Sequence, residues 1–236
     1  MRTLPLRAAS AVLAAALALP GAATAGDGLV AEGFRLYAGD CASCHDVAGR
    51  APSLRGVGAL AADFELRTGY MPLGHPGEQP MRHDARYDER QLQALVAYIA
   101  SLGPGPKIPR PHPERGSLAA GLRLFMQHCA GCHQIVAEGG YAGDAVAPRL
   151  DRATPTQIAE AIRLGPYVMP RFTTRQISAA QVDSIVRYVV DARHPDDRGG
   201  WGIGHLGPVP EGLVTWLIAG TALVGCCVLI GRRNET

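Results

Sequence analysis

Lysine is almost missing from this chain: of 23 basic residues among 236, only Lys107 is a lysine. The arginines face 21 acidic residues, and neither sign is gathered into a block. Residues 27–104 hold seven arginines against ten acidic groups, a net −3, and residues 117–191 hold seven against six, a net +1. Without a basic stripe there is no nucleic-acid footprint. Without clustered charge there is no field to steer a transient partner from a distance. Convincing strand alternation is absent as well, and long apolar runs are confined to the two ends.

Those ends differ. Arg2 and Arg7 precede an apolar run of only twelve residues, Ala8 to Leu19, broken by Pro20 and followed by Ala23-Thr24-Ala25. At 1.5 Å per residue the run reaches roughly 18 Å, short of a ~30 Å hydrocarbon core. Residues 1–25 therefore read as a secretory signal with cleavage after Ala25. At the other end, Gly212 to Gly231 is twenty residues without a charge, with Trp216 near its outer edge and Arg232-Arg233 directly after it. This is the pattern of a membrane-spanning helix over 211–231. The arginine pair favours the cytoplasmic side and the body of the chain lies outside.

Between the ends the chain repeats itself. Gly33-Phe34-Arg35-Leu36-Tyr37-Ala38-Gly39-Asp40-Cys41-Ala42-Ser43-Cys44-His45 aligns with Gly121-Leu122-Arg123-Leu124-Phe125-Met126-Gln127-His128-Cys129-Ala130-Gly131-Cys132-His133, 88 residues on. Apolar residues at helical spacing precede each cysteine pair, so each copy is a helix that delivers its cysteines at the end. Each copy then carries Met-Pro, Met71-Pro72 and Met169-Pro170, and closes with a second amphipathic helix, over 89–102 and 179–192. A proline-rich spacer, 104–116, and a Gly/Pro/Asp-rich segment, 194–210, divide the rest. The expected fold is all-α: two tandem domains, 27–103 and 117–193, and a carboxy-terminal transmembrane helix. Each domain is small for an apolar core alone.

Cys-x-x-Cys-His is the attachment motif for haem c. Two thiols at this spacing reach the two vinyl groups on one porphyrin edge, and the next residue, a histidine, meets the iron from one face. Cys41, Cys44 and His45 would hold one haem and Cys129, Cys132 and His133 a second, both covalent. A zinc knot would leave the histidines idle and the cysteine pairs too far apart. A thioredoxin-like pair lacks its βαβ context, and disulfides would not explain the histidines. Cys226 and Cys227 lie inside the span and read as small apolar side chains. Methionine opposite histidine raises a haem's potential. Only Met169 follows the second cysteine pair, whereas Met71, Met81, His75 and His83 compete in the first copy. The repeat favours Met71, because Pro72 follows it as Pro170 follows Met169.

With these motifs the chain resembles the dihaem cytochrome c subunit of the menaquinol (ubiquinol)–cytochrome c reductase found in actinobacterial cytochrome bcc complexes. The discriminating features are Thr68-Gly69-Tyr70-Met71-Pro72, Gly165-Pro166-Tyr167-Val168-Met169-Pro170 and the tail from Gly204 to Val214, whose Gly-Pro-x-x-Glu-Gly leads into the span. The resemblance implies class I cytochrome c-like domains and an electron-transfer subunit with no bond-making chemistry of its own. It also implies a place beside a cytochrome b subunit and a Rieske iron–sulfur subunit. The first domain would take electrons from the Rieske protein and the second would pass them to a haem–copper oxidase. Tethering supplies high effective concentration in place of charge steering. A cytochrome serving a periplasmic dehydrogenase or another oxidase is the alternative, although its anchor usually comes first or a third haem motif is present. A dihaem peroxidase would need an open axial position, against which a methionine in each copy argues.

Overall fold

The computed structural model describes residues 25–193 and 208–233. The expected signal segment, apart from its last residue, lies outside the described residues, as do most of the 194–210 linker and the tail 234–236. Helix α1, Ala25–Asp40, runs into a four-residue helical turn α2, Ala42–His45. Helices α3, Gly58–Arg67, and α4, Glu89–Ser101, complete the first domain. The second domain repeats the order with α5, Leu118–His128, α6, Ala130–His133, α7, Pro155–Leu164, and α8, Ala179–Ala192. Helix α9, Pro208–Arg233, stands apart with its described apolar side chains exposed. Its segment Gly212–Arg233 has mean hydropathy 2.3, long and apolar enough to cross a membrane.

Capping explains why the closing helices start where they do. Asp88 accepts from Gln91 N at 2.9 Å while Gln91 Oε1 takes the Asp88 N–H, and Ser178 and Gln181 form the same box in the second domain. Each box satisfies orphan N–H groups and fixes the first turn. Helices α3 and α7 occupy stretches where the sequence suggested only loop. Helix α7 has its own box, Thr154 with Gln157, and Pro155 in its first turn, where the missing N–H does no harm. A second departure from the all-helical expectation is an antiparallel hairpin, β1, Gly140–Ala142, and β2, Ala145–Ala147. Three-residue strands are too short for a periodicity signal, and Gly143 at φ 61° makes the turn.

In each domain the opening helix crosses the closing helix at one glycine. A methyl group on Gly33 would fall inside contact distance of the Ala94 carbonyl oxygen, and one on Gly121 would strike the Ser184 carbonyl oxygen. Beside each crossing an aromatic pair fills the gap: Tyr37 on Tyr98 with ring centres 5.1 Å apart, and Phe125 on Tyr188 at 5.2 Å. The cores build out from there through Leu92, Leu95 and Ile99 in the first domain and Val182, Ile185 and Val189 in the second.

The spacer 104–116 is strapped down at both ends. Pro106 O accepts from Leu60 N at 3.1 Å, and Asp183 Oδ1 accepts from His112 N at 2.7 Å. The domains also meet directly, α3 against α7. Asp84 pairs with Arg152 at 2.6 Å, and Arg82 Nη2 donates to Arg152 O and Gln157 Oε1 at 3.1 and 2.9 Å. Glu160 is fully buried in this contact, and neither of its carboxyl oxygens has a well-aligned hydrogen-bond partner. Burial first, and then the neighbouring Asp63, push its pKa up to about 9. Asp63 is itself tied to Arg67 at 2.8 Å, and Arg67 reaches on to Glu89 at 2.6 Å.

Two predictions follow from these contacts. Gly33→Ala and Gly121→Ala should each cost about 1–3 kcal/mol, because the facing group is backbone and cannot swing aside; a urea melt reads this as a lower midpoint. Glu160 binds its proton more tightly folded than unfolded, where its pKa is about 4.3. Its stabilising effect is therefore complete below about pH 4 and is lost as pH rises toward 9. Glu160→Gln should flatten that decline and gain roughly 1–3 kcal/mol over the natural chain at pH 8. Equal pH slopes in the two proteins would exclude a proton held at Glu160.

Candidate haem-binding sites

The two cysteine motifs adopt one geometry. Cys41 N donates to Tyr37 O at 2.8 Å, and Cys44 N and His45 N both return to Cys41 O at 3.1 and 3.0 Å. In the second domain Cys129 N donates to Phe125 O at 2.7 Å, and Cys132 N and His133 N return to Cys129 O at 3.1 and 2.9 Å. One helical turn thus carries both thiols and the imidazole. None of the four cysteines is joined in a disulfide. Burial pushes the Cys41 and Cys129 thiols up to about 11.

Each histidine is oriented by a backbone carbonyl. His45 Nδ1 lies 2.8 Å from Pro52 O and His133 Nδ1 lies 3.0 Å from Pro148 O. A carbonyl oxygen only accepts, so Nδ1 carries the proton and Nε2 keeps its lone pair. Burial lowers the pKa of His133, which holds the ring in that neutral form. These proline carbonyls were missed in the sequence, although a signal was there. Ala51-Pro52-Ser53-Leu54 and Ala147-Pro148-Arg149-Leu150 are a second repeated motif, Ala-Pro-x-Leu. The extra residues between histidine and proline in the second copy are the hairpin.

Cys129, Cys132, His133 and Met169 line one cavity with apolar walls that include Ile158, Ile162 and Val189. In the first domain Cys41 and Met71 pack against one apolar core. The rivals of Met71 stand elsewhere: Met81 is 59 % exposed, and His75 and His83 are exposed too. Paired thiols, a neutral imidazole with a free Nε2, a thioether and apolar walls fit haem c in donor type and polarity. The cavity is not closed by the second domain alone. Phe64, Thr68, Tyr70, Pro80 and Arg82 of the first domain also line it.

Comparison with known proteins agrees with this chemistry. Residues 30–103 match the family described as cytochrome c, and residues 116–189 match the one described as cytochrome c oxidase, cbb3-type, subunit III. The cytochrome bc1 complex cytochrome c subunit of Corynebacterium diphtheriae is 35% identical over 229 residues, covering 87% of this chain and 82% of that protein. The protein of the same name from Mycobacterium tuberculosis is 36% identical over 221 residues, covering 87% and 79%. That from Mycobacterium leprae is 37% identical over 223 residues, covering 87% and 76%. With two cytochrome c-type domains, cysteine pairs that fit haem c and an apolar helix after them, the chain belongs to the family of cytochrome bc1 complex cytochrome c subunits.

Proposed function

We propose that the chain carries two covalent haems c and relays single electrons between fixed partners of a quinol–cytochrome c reductase. What carries the reading is the duplicated Cys-x-x-Cys-His turn, each with its imidazole Nδ1 on a proline carbonyl. Bound haem iron would supply one-electron reduction and oxidation; the residues of the chain hold it and set its environment. Cys41 and Cys44, and Cys129 and Cys132, form the thioether links. His45 and His133 present Nε2 to the iron, with Pro52 and Pro148 fixing the ring planes. Met71 and Met169 would hold the iron through their thioether sulfurs, soft ligands that would favour the reduced state. The packing of Met71 against the core that Cys41 also meets, while Met81, His75 and His83 are exposed, supports Met71 as the first-domain ligand. In this reading both domains are class I cytochrome c-like.

The first domain accepts electrons from the Rieske subunit, beside cytochrome b, and the second delivers them to the copper centre of a haem–copper oxidase. Helix α9 anchors the chain with Arg232 and Arg233 on the cytoplasmic side and the haem domains outside, after removal of residues 1–25. The near-absence of lysine suits a tethered relay, which needs effective concentration more than steering.

Three measurements test this. Pyridine haemochrome analysis of the purified chain should give two haems per molecule, and Cys132→Ala should leave one fully attached. Met169→His should lower one of two reduction potentials by on the order of 0.1–0.3 V and leave the other in place. Mild detergent extraction should bring down cytochrome b and a Rieske protein; recovery of a quinone dehydrogenase in their place would refute the assignment.

A further inference from the structure

The cavity of the second domain contains a cation that does not belong to that domain. Arg82 lies on the segment after Met71, yet it lines the cavity beside Gln157 and Met169. Its guanidinium is half-buried, and its hydrogen bonds go to two neutral oxygens, Arg152 O and Gln157 Oε1, both from Nη2. No carboxylate among the described residues comes within ion-pair distance of it. Around it stand Tyr70 and Asp84 of its own domain and Asp151, Arg152 and Arg193 of the other. Asp84 is engaged with Arg152 at 2.6 Å, and Asp151 with Arg149 at 3.7 Å. Burial and the Arg152 charge both lower the pKa of Arg82, as expected of a cation short of a counter-ion. The segment is held in place, since His83 N donates to Thr68 O at 3.0 Å and Thr68 Oγ1 to Phe64 O at 2.6 Å.

Haem c brings the missing charge. Its thioether edge is fixed by the cysteines, and two carboxylates project from the opposite edge. A carboxylate taken into an apolar cavity needs a cation or several donors. Of the two arginines lining the cavity, Arg149 is largely exposed and already faces Asp151. We propose that Arg82, a residue of the first domain, binds a carboxylate of the haem held in the second domain. Docking of the domains thereby completes the second haem site and sets its potential. This rests on the two-haem reading above.

The test uses the full-length chain in detergent, with haem stoichiometry measured on every sample and the second-haem wave identified as the one moved by Met169→His. Arg82→Gln should retain two haems, lower the second potential and leave the first in place. The electron equilibrium between the haems should shift roughly three- to tenfold toward the first. The second potential should also become more pH-dependent, because a carboxylate that has lost its cation titrates at higher pH. Arg82→Lys should restore most of the shift. Two haems with unchanged second potential and unchanged pH profile would overturn the assignment of Arg82. A single haem in the natural chain would instead remove the two-haem reading, and this inference with it. Independently of any variant, redox-difference infrared spectra of the natural chain with carboxylate-labelled haem should show no protonated carboxyl band on reduction of the second haem between pH 6 and 8. Such a band would also overturn the inference.

Discussion

Everything in each domain depends on how closely two helices cross. Gly33 against Ala94 and Gly121 against Ser184 let backbone meet backbone, and the approach fixes where the opening helix ends. That end is the cysteine turn. With the helix axis set at one point and the aromatic pair filling the space beside it, Cys41 and Cys129 arrive at the edge of a core instead of in solvent. The half-buried thiols and the carbonyl-held imidazoles are consequences of that placement. A side chain at the crossing would move the helix end and misalign all of them.

The contact between domains has a different character. It sets charge beside apolar surface: Phe64 and Tyr70 face the second domain's cavity, with Arg82, Asp84 and Arg152 to one side and Asp63, Arg67 and Glu160 to the other. A buried carboxyl group with no aligned partner costs stability unless it keeps its proton. Such a group adds little to affinity, but it makes docking answer to pH in a way that an apolar patch would not. The strapped spacer works alongside it, since Pro106 is held by the first domain and His112 by the second.

Much of this was legible in the sequence where the signal was local. The opening and closing helices, the cysteine turns and the apolar tail declare themselves through periodicity, capping residues and length. Helix α4 ends within one residue of its expected limit and α8 matches it. Helix α3 was hidden because its N-cap, Val57, offers no side-chain cap and it carries Asp63 and Glu65 among its apolar residues. The domain contact was hidden because Asp63, Glu160 and Arg82 look like solvated charges until a second domain covers them. Met71 was favoured over its rivals by the repeat; in the fold it packs against the first-domain core while Met81 is exposed. The role of Pro52 and Pro148 was written as a short repeat, but its meaning lies in a hydrogen bond across a loop.

The two methionine segments are related by sequence but not by surroundings. Tyr70 is 9 % exposed and packs edge-on against Phe64 with ring centres 5.6 Å apart, whereas Tyr167, beside the second Met-Pro, is 53 % exposed with Val168 at 55 %. Yet the domains meet through α3 and α7, the same helix of each repeat, and Tyr70, Tyr167 and Val168 all line the cavity between them. One tyrosine is sealed there and its counterpart stands half open. The two halves have ceased to be interchangeable: drift in the first-domain segment is constrained on every side, while its second-domain counterpart keeps one side free.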